Sequence, residues 1–239
     1  KVHFLIDAAV RRQQPIRFAP CDIDEGVVRS GLEHLFHFFS DEIETFPFST
    51  TFEECIYNLP QCRGPRLFCF LGSTVGNMSD SEKHGLFQQL QETMTERDSF
   101  LIGVDLVKRR EILEGAYNDQ AGWLRGSILA SLRTLREMYY ADIDENKFDQ
   151  RSVYDHQRRS VVSYVVSKVD QNLNIPTLNL SVTLEKDEDI EVEFSEKFVL
   201  KDELLRFQGY GMYPIQIVVH SEIPYALLLL RKMPQMVVD

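Results

Sequence analysis

Apolar residues along the first hundred positions fall into alternating helical and strand patterns. Val2, Phe4, Leu5, Ile6, Ala8 and Ala9 suit a buried helix over Val2–Val10, which Pro15 then breaks. Ile16–Ile23 alternates and predicts one strand with Asp22 at its end. Val28, Leu32, Leu35, Phe36 and Phe39 recur at helical spacing and predict a helix over Val27–Phe39. Pro65–Gly72 is nearly continuous apolar sequence, the pattern of a strand buried on both faces of a parallel sheet. Ser79 followed by Glu82 is a capping-box signature for a helix running to about Glu96, and Phe100–Leu106 is a further buried strand that ends at Asp105. Strands alternating with helices predict an α/β sheet built from crossovers.

Beyond residue 107 the pattern changes. Glu111–Tyr140 is largely helical, and Arg151–Phe198 is strand-rich, with alternation in Ser160–Asp170, Leu178–Leu184 and Ile190–Phe198. A short helix over Asp202–Phe207 and two strands, Ile215–His220 and Tyr225–Arg231, follow. Residues 108–197 therefore form an insertion or second lobe within the α/β framework.

Composition narrows the function classes. The formal net charge of −11 argues against polymeric nucleic acid as a partner, because a duplex binder normally carries a basic patch. The run Lys108-Arg109-Arg110 is a solvated helix start. No apolar stretch approaches the ~20 residues needed to cross a bilayer, so no membrane partner is expected. The four cysteines include no C-x-x-C pair, which argues against zinc, and Cys21 and Cys69 lie in apolar runs that predict buried, reduced thiols in a cytoplasmic protein. His34 and His37 lack acidic neighbours suited to a metal and are assigned to packing or surface.

In an open parallel sheet, ligands bind at the carboxyl ends of the strands. Asp22, the Gly72–Asn77 turn and Asp105 sit at such ends. A carboxylate closing a strand can accept hydrogen bonds from two ribose hydroxyls; equally, Asp22 can cap the helix that starts near Asp24. Two glycines four apart allow a sharp turn and close approach of a ligand, and Asn77 offers both a donor and an acceptor at that mouth. Glu193 and Ser195 share one face of a strand, with Ile190, Val192 and Phe194 on the opposite face, which is expected to be buried. Read alone, Glu193 and Ser195 are a solvated strand face, and Tyr117 is a packing residue in a loop.

Phe70-Leu71-Gly72-Ser73-Thr74-Val75-Gly76-Asn77 resembles the histidine-specific, S-adenosylmethionine-dependent methyltransferase family of the ergothioneine pathway. So do Leu101–Lys108, Ala116-Tyr117-Asn118-Asp119 and Glu193–Phe198, in order and spacing, together with Lys1–Ala8 and Pro20–Asp24. The resemblance implies a Rossmann-like methyltransferase sheet, residues 1–107 and 198–239, with an inserted α+β substrate-binding lobe, residues 108–197. It implies S-adenosyl-L-methionine as cofactor and a small amino acid, histidine or a relative of it, as substrate. Position by position it gives Lys1 and Asp22 to the cofactor, with Thr51 and Phe52 near the adenine. Gly72 and Asn77 meet the amino acid, with Asn77 at its α-amino group as the catalytic residue; Tyr117 meets its carboxylate, and Glu193 and Ser195 meet the imidazole.

The departures from the family pattern carry their own expectations. A glycine-rich loop would fall immediately before Lys1, so the sequence reads as an N-terminally truncated chain lacking the first strand, with room for a fused or partner domain upstream. Thr51 stands where the family usually has an acid, and Ser163 where some members have a methionine lining the ring pocket. A non-catalytic relative that keeps the fold without binding cofactor is the alternative these departures raise.

Overall fold

The computed structural model describes residues 1–39 and 42–234. Helix α1 (Val2–Val10) leads into two pairs of short parallel strands. Strand β1 (Ile16–Phe18) pairs with β3 (Ile43–Thr45), and β2 (Cys21–Asp22) with β4 (Phe48–Ser49), with helix α2 (Glu25–Phe39) as the crossover. The single strand expected over Ile16–Ile23 is thus two. Pro20 has no N–H to give a ladder, and the chain breaks at Ala19-Pro20. Ile6, Leu35, Phe39 and Ile43 pack these elements together.

A four-stranded sheet holds the main core. After helix α3 (Phe52–Tyr57) come β5 (Leu67–Phe70), α4 (Asp80–Thr93) and β6 (Ser99–Asp105). The chain later returns through α7 (Leu200–Gly209), β12 (Met212–Val219) and β13 (Tyr225–Lys232), giving the order β12-β13-β6-β5. Strands β5 and β6 are parallel; β13 and β12 join antiparallel. Phe100, Ile102, Val104, Ala226, Leu228 and Leu230 point to one face and are fully buried against Leu86, Phe87 and Leu90 of α4 and Phe207 of α7. The Ser79–Glu82 capping box is present and starts α4 where the sequence places it. The architecture is α/β and Rossmann-like.

The opposite face of this sheet is open. Leu67 and Cys69 of β5, Leu227 of β13 and Val218 of β12 share that face by register and are exposed. Strand β5 is therefore not buried on both faces, and the Cys69 thiol is not a core group as its apolar run suggests.

Between α4–β6 and α7, the chain adds α5 (Arg110–Tyr117), α6 (Trp123–Tyr139) and five strands. They are β7 (Phe148–Asp155), β8 (Ser160–Ser167), β9 (Gln171–Ile175), β10 (Leu180–Leu184) and β11 (Asp189–Glu196). An antiparallel sheet of order β11-β8-β7 and a separate β9-β10 hairpin result. Ile128, Leu132, Phe148, Val165, Leu173 and Leu184 form a second core. A parallel bridge between Leu106 and Phe198 joins the two sheets through two hydrogen bonds: Phe198 N–H to the Asp105 carbonyl at 2.8 Å and Val107 N–H to the Phe198 carbonyl at 3.0 Å. They hold the end of β11 against the carboxyl end of β6. Among the described residues no helix is long and apolar enough to cross a membrane.

Candidate ligand-binding site

The turn after β5 is shaped by what its glycines lack. Gly72 sits at φ +114°, a conformation side chains rarely adopt, and a Cβ there would lie 3.2 Å from Lys1 Nζ. Tyr225 pins this backbone from below: its hydroxyl donates to the Gly72 carbonyl at 2.9 Å and accepts from the Gly72 N–H at 3.3 Å. The tyrosine reaches that position because residue 103 is glycine; a Cβ there would overlap the Tyr225 hydroxyl at 2.0 Å. Gly76 performs the equivalent service for β11, since a Cβ would come within 2.7 Å of the Glu196 carbonyl oxygen. The close approach brings Asn77 to the strand, and its Nδ2 donates to Glu193 Oε1 at 3.2 Å.

Strand β11 presents its polar side inward. Ser195 is buried, while Ile190 and Val192 are exposed. The expectation of a buried Ile190, Val192 and Phe194 fails for the first two, while Phe194 is half-buried against Val162. Helices α5 and α6 pack on the sheet face that carries Ser195 and its register partner Val161. The register slips between Glu191 and Glu193, so Ile190 pairs with Val165 of that same face at its exposed end and Val192 falls at the slip, without a partner. Ser163 lies opposite Glu193 and shares a 2.8 Å hydrogen bond with Ser152.

A lysine that sequence reasoning passed over sits at the centre. Lys197 is fully buried, and its ammonium donates to Ser195 Oγ at 2.8 Å and Tyr117 Oη at 2.9 Å while pairing with Asp105 Oδ2 at 3.2 Å. Lys108 pairs with the same Asp105. Tyr117 also packs against Leu113, Tyr154 and Val161, so it is a packing residue and a polar one at once. Lys197 was detectable in principle: with Glu193 and Ser195 it continues the i, i+2, i+4 series of one strand face. One residue further out, Lys83 is buried between Glu196 and Asp80 and fastens the end of β11 to α4. Behind that pair, burial pushes the Glu203 carboxyl up to about 7.

The strand-end acid is free of the helix. Asp24 Oδ1 accepts from the N–H groups of Gly26 at 2.7 Å and Val27 at 3.3 Å, so Asp24 caps α2. Asp22 closes β2 half-buried, its Oδ1 accepting only the Asp24 N–H at 3.0 Å among the described residues. The two readings of Asp22 left open by the sequence separate here, and the capping one falls to its neighbour. Thr51 caps α3 by accepting from Glu54 N–H at 3.3 Å. Phe52, the first residue of that helix, meets Phe70 edge-on at 4.8 Å, and Phe70 leads directly into the Gly72 turn. Cys21 Sγ donates to the carbonyls of Thr50 and Thr51 and ties β2 to the same helix start. Asn77 thus meets Glu193, and Lys197 joins Ser195 to Tyr117 further along the same strand; Lys1 lies beside Gly72, and the Asp22 carbonyl accepts from Thr50 N–H at 3.1 Å just before Thr51 and Phe52.

Comparison with known proteins gives the family. A family model described as "Histidine-specific methyltransferase, SAM-dependent" matches residues 1–232. The chain is 30% identical over 203 residues to a histidine N-alpha-methyltransferase of Mycolicibacterium smegmatis, covering 83% of this chain and 61% of that protein. It is 29% identical over 198 residues to the histidine N-alpha-methyltransferase of Mycobacterium tuberculosis, with the same coverage of 83% and 61%. The chain therefore spans 61% of the length of these curated relatives. Among solved structures, an S-adenosylmethionine-dependent methyltransferase from Clostridium acetobutylicum aligns over 97% of this chain and 90% of its own, at 11% identity and a TM-score of 0.47.

Proposed function

Because this chain belongs to the SAM-dependent, histidine-specific methyltransferase family, we propose that it transfers a methyl group to the α-amino nitrogen of histidine or a closely related amino acid. The observation that carries the proposal is the contact between Asn77 and Glu193 beside buried Ser195, assembled at the mouth of the Gly72 turn. The resemblance assigns these same residues to the two ends of one amino acid. In this reading residues 1–107 and 198–239 supply the cofactor half, and residues 108–197 the substrate lobe.

The residues present suit the cofactor. Asp24 relieves Asp22 of capping and leaves its carboxylate for a ribose. The bare backbone of Gly72 next to Lys1 leaves room for close approach. Asp22, Lys1, Thr51 and Phe52 would hold S-adenosylmethionine, which when bound supplies a methyl group already activated by its sulfonium.

What remains for the protein is alignment and protonation state. Only a neutral amine has the lone pair to attack, and a free α-amino group titrates near ~8, so a modest downward push suffices. Asn77 gives its Nδ2 hydrogen to Glu193, which leaves its Oδ1 to accept from the amine and aim the lone pair. Glu193 accepts from the ring N–H, and Ser195 meets the second ring nitrogen. Four cysteines without a disulfide support a reducing compartment, and we place the protein in the cytoplasm.

The test is a panel of amino acids incubated with the chain and S-adenosylmethionine, with product methyl groups located by tandem mass spectrometry. Methylation at the α-nitrogen of histidine is expected. Methyl groups found only on ring nitrogen, or on no amino acid, contradict the proposal.

A further inference from the structure

The polarity of the site follows from counting hydrogens around Lys197. An ammonium has three N–H donors and no acceptor, and this one has three oxygen partners: Ser195 Oγ, Tyr117 Oη and Asp105 Oδ2. A hydroxyl has one hydrogen and two lone pairs. Where a lone pair is already taken by an ammonium, the hydroxyl hydrogen must point elsewhere. Neither the Ser195 nor the Tyr117 hydroxyl hydrogen has a protein acceptor among the described residues. Ser195 is buried, so leaving that donor unpaired is costly. Glu193 across the cluster is an acceptor only, and Asn77 already takes one of its oxygens. Lys197 and Lys108 share the single carboxylate of Asp105, so a positive charge is left over beside Tyr117.

We propose that Lys197 is the positioning residue that fixes the donor–acceptor polarity of the substrate pocket. By occupying an acceptor position on both hydroxyls it makes Ser195 a donor to the bare nitrogen of a neutral imidazole and Tyr117 a donor to the ligand carboxylate. Glu193 takes the ring N–H. The pocket then selects a ring with one donor and one acceptor nitrogen, and the spare lysine charge selects an anionic group at the other end. This rests on the reading of the site as an amino-acid pocket and says how that pocket tells histidine from its shape analogues.

Calorimetric titration of histidine into the full chain, saturated with S-adenosylhomocysteine, tests it. Lys197→Met should weaken histidine at least ~30-fold while S-adenosylhomocysteine itself stays within about threefold, and Lys197→Arg should recover at least ~10-fold of the loss. Ser195→Ala alone should cost about tenfold but less than about threefold in the Lys197→Met background, because the two act as a unit. Equal costs of Ser195→Ala in both backgrounds, or a Lys197→Met variant that binds histidine normally, overturn the inference and leave the functional reading standing. A ligand comparison needs no substitution and holds even if Lys197→Met does not fold. 3-Pyrrolylalanine keeps a ring N–H and lacks the bare nitrogen, and it should bind the unaltered chain at least ~10-fold more weakly than histidine. Equal binding overturns the proposed polarity. An unaltered chain that takes up no histidine contradicts the functional reading and this inference together.

Discussion

The two sheets of this molecule differ in how much polar chemistry they bury among their apolar side chains. The face of β6 and β13 is Phe100, Ile102, Val104, Ala226, Leu228 and Leu230, closed by phenylalanines and leucines from α4 and α7. The face of β7, β8 and β11 buries Ser152, Ser163 and Ser195 among Phe148, Tyr154, Val161 and Val165, with Lys197 just beyond the strand end. Burying apolar area stabilises; burying polar groups costs unless each finds a partner. The first sheet's buried face is therefore stabilising throughout, while the second mixes an apolar core with buried polar groups. The second spends stability to hold donors and acceptors in fixed directions, which is what selective recognition of a small polar ligand needs.

If that division is right, damage to one sheet should not resemble damage to the other. The largest effect belongs to the apolar face. Leu228→Ala should cost about 3–5 kcal/mol in denaturant unfolding, while the surviving folded fraction binds ligands normally. Next is the seam between turn and polar strand. Asn77→Ala should lower turnover by roughly two or more orders of magnitude, about 3 kcal/mol, and leave unfolding within about 0.5 kcal/mol. A large stability loss from Asn77→Ala, or near-normal methylation by it, would break the comparison. The smallest effect is a pH dependence at the join. Burial raises the Glu203 carboxyl to about 7, so the folded state prefers it neutral, whereas the unfolded chain releases that proton near its ordinary value of 4.5. Its contribution is fully present below about pH 4.5 and is lost as pH rises through about 7. The loss is about 1–3 kcal/mol. Glu203→Gln should flatten that slope in unfolding curves recorded across pH 5 to 8, at about the same magnitude; an unchanged slope would remove Glu203 from the account.

Much of the apolar sheet was legible because its signals are local. The Ser79–Glu82 box, the Phe100–Leu106 run and the Tyr225–Arg231 run each declare an element without reference to the rest of the chain. Short elements were not legible: β3, β4 and α3 span two to six residues each, too few for a period to show. Burial of a strand face was read correctly only where helices fall on the face that is apolar. For β5 the run of Leu67–Leu71 promised two covered faces, and the structure covers one. For β11 the alternation holds only from Glu193 to Glu196: the slip between Glu191 and Glu193 brings Ile190 onto the face of Glu193 and Ser195, and a bulge leaves no mark in the apolar period. Asn77 stood out at the glycine turn, whereas Glu193, Ser195 and Tyr117 were named through family resemblance, since a polar strand face says nothing by itself and Tyr117, read as a loop residue, in fact ends α5. Lys197 was missed because a lysine reads as solvated surface, and only its three partners reveal otherwise.

The account stands or falls on two ligands being gripped by two separate groups of side chains that meet at the Gly72 turn. The most direct measurement is calorimetry of S-adenosylhomocysteine, then of histidine beside it, with Asp22→Ala and Glu193→Ala. Asp22→Ala should weaken S-adenosylhomocysteine by about 30-fold or more, as the loss of charge-assisted hydrogen bonds to a ribose predicts. Glu193→Ala should leave that affinity within about threefold and abolish measurable uptake of histidine. If Asp22→Ala binds S-adenosylhomocysteine normally, or Glu193→Ala loses it along with histidine, the two half-sites are not where we propose them.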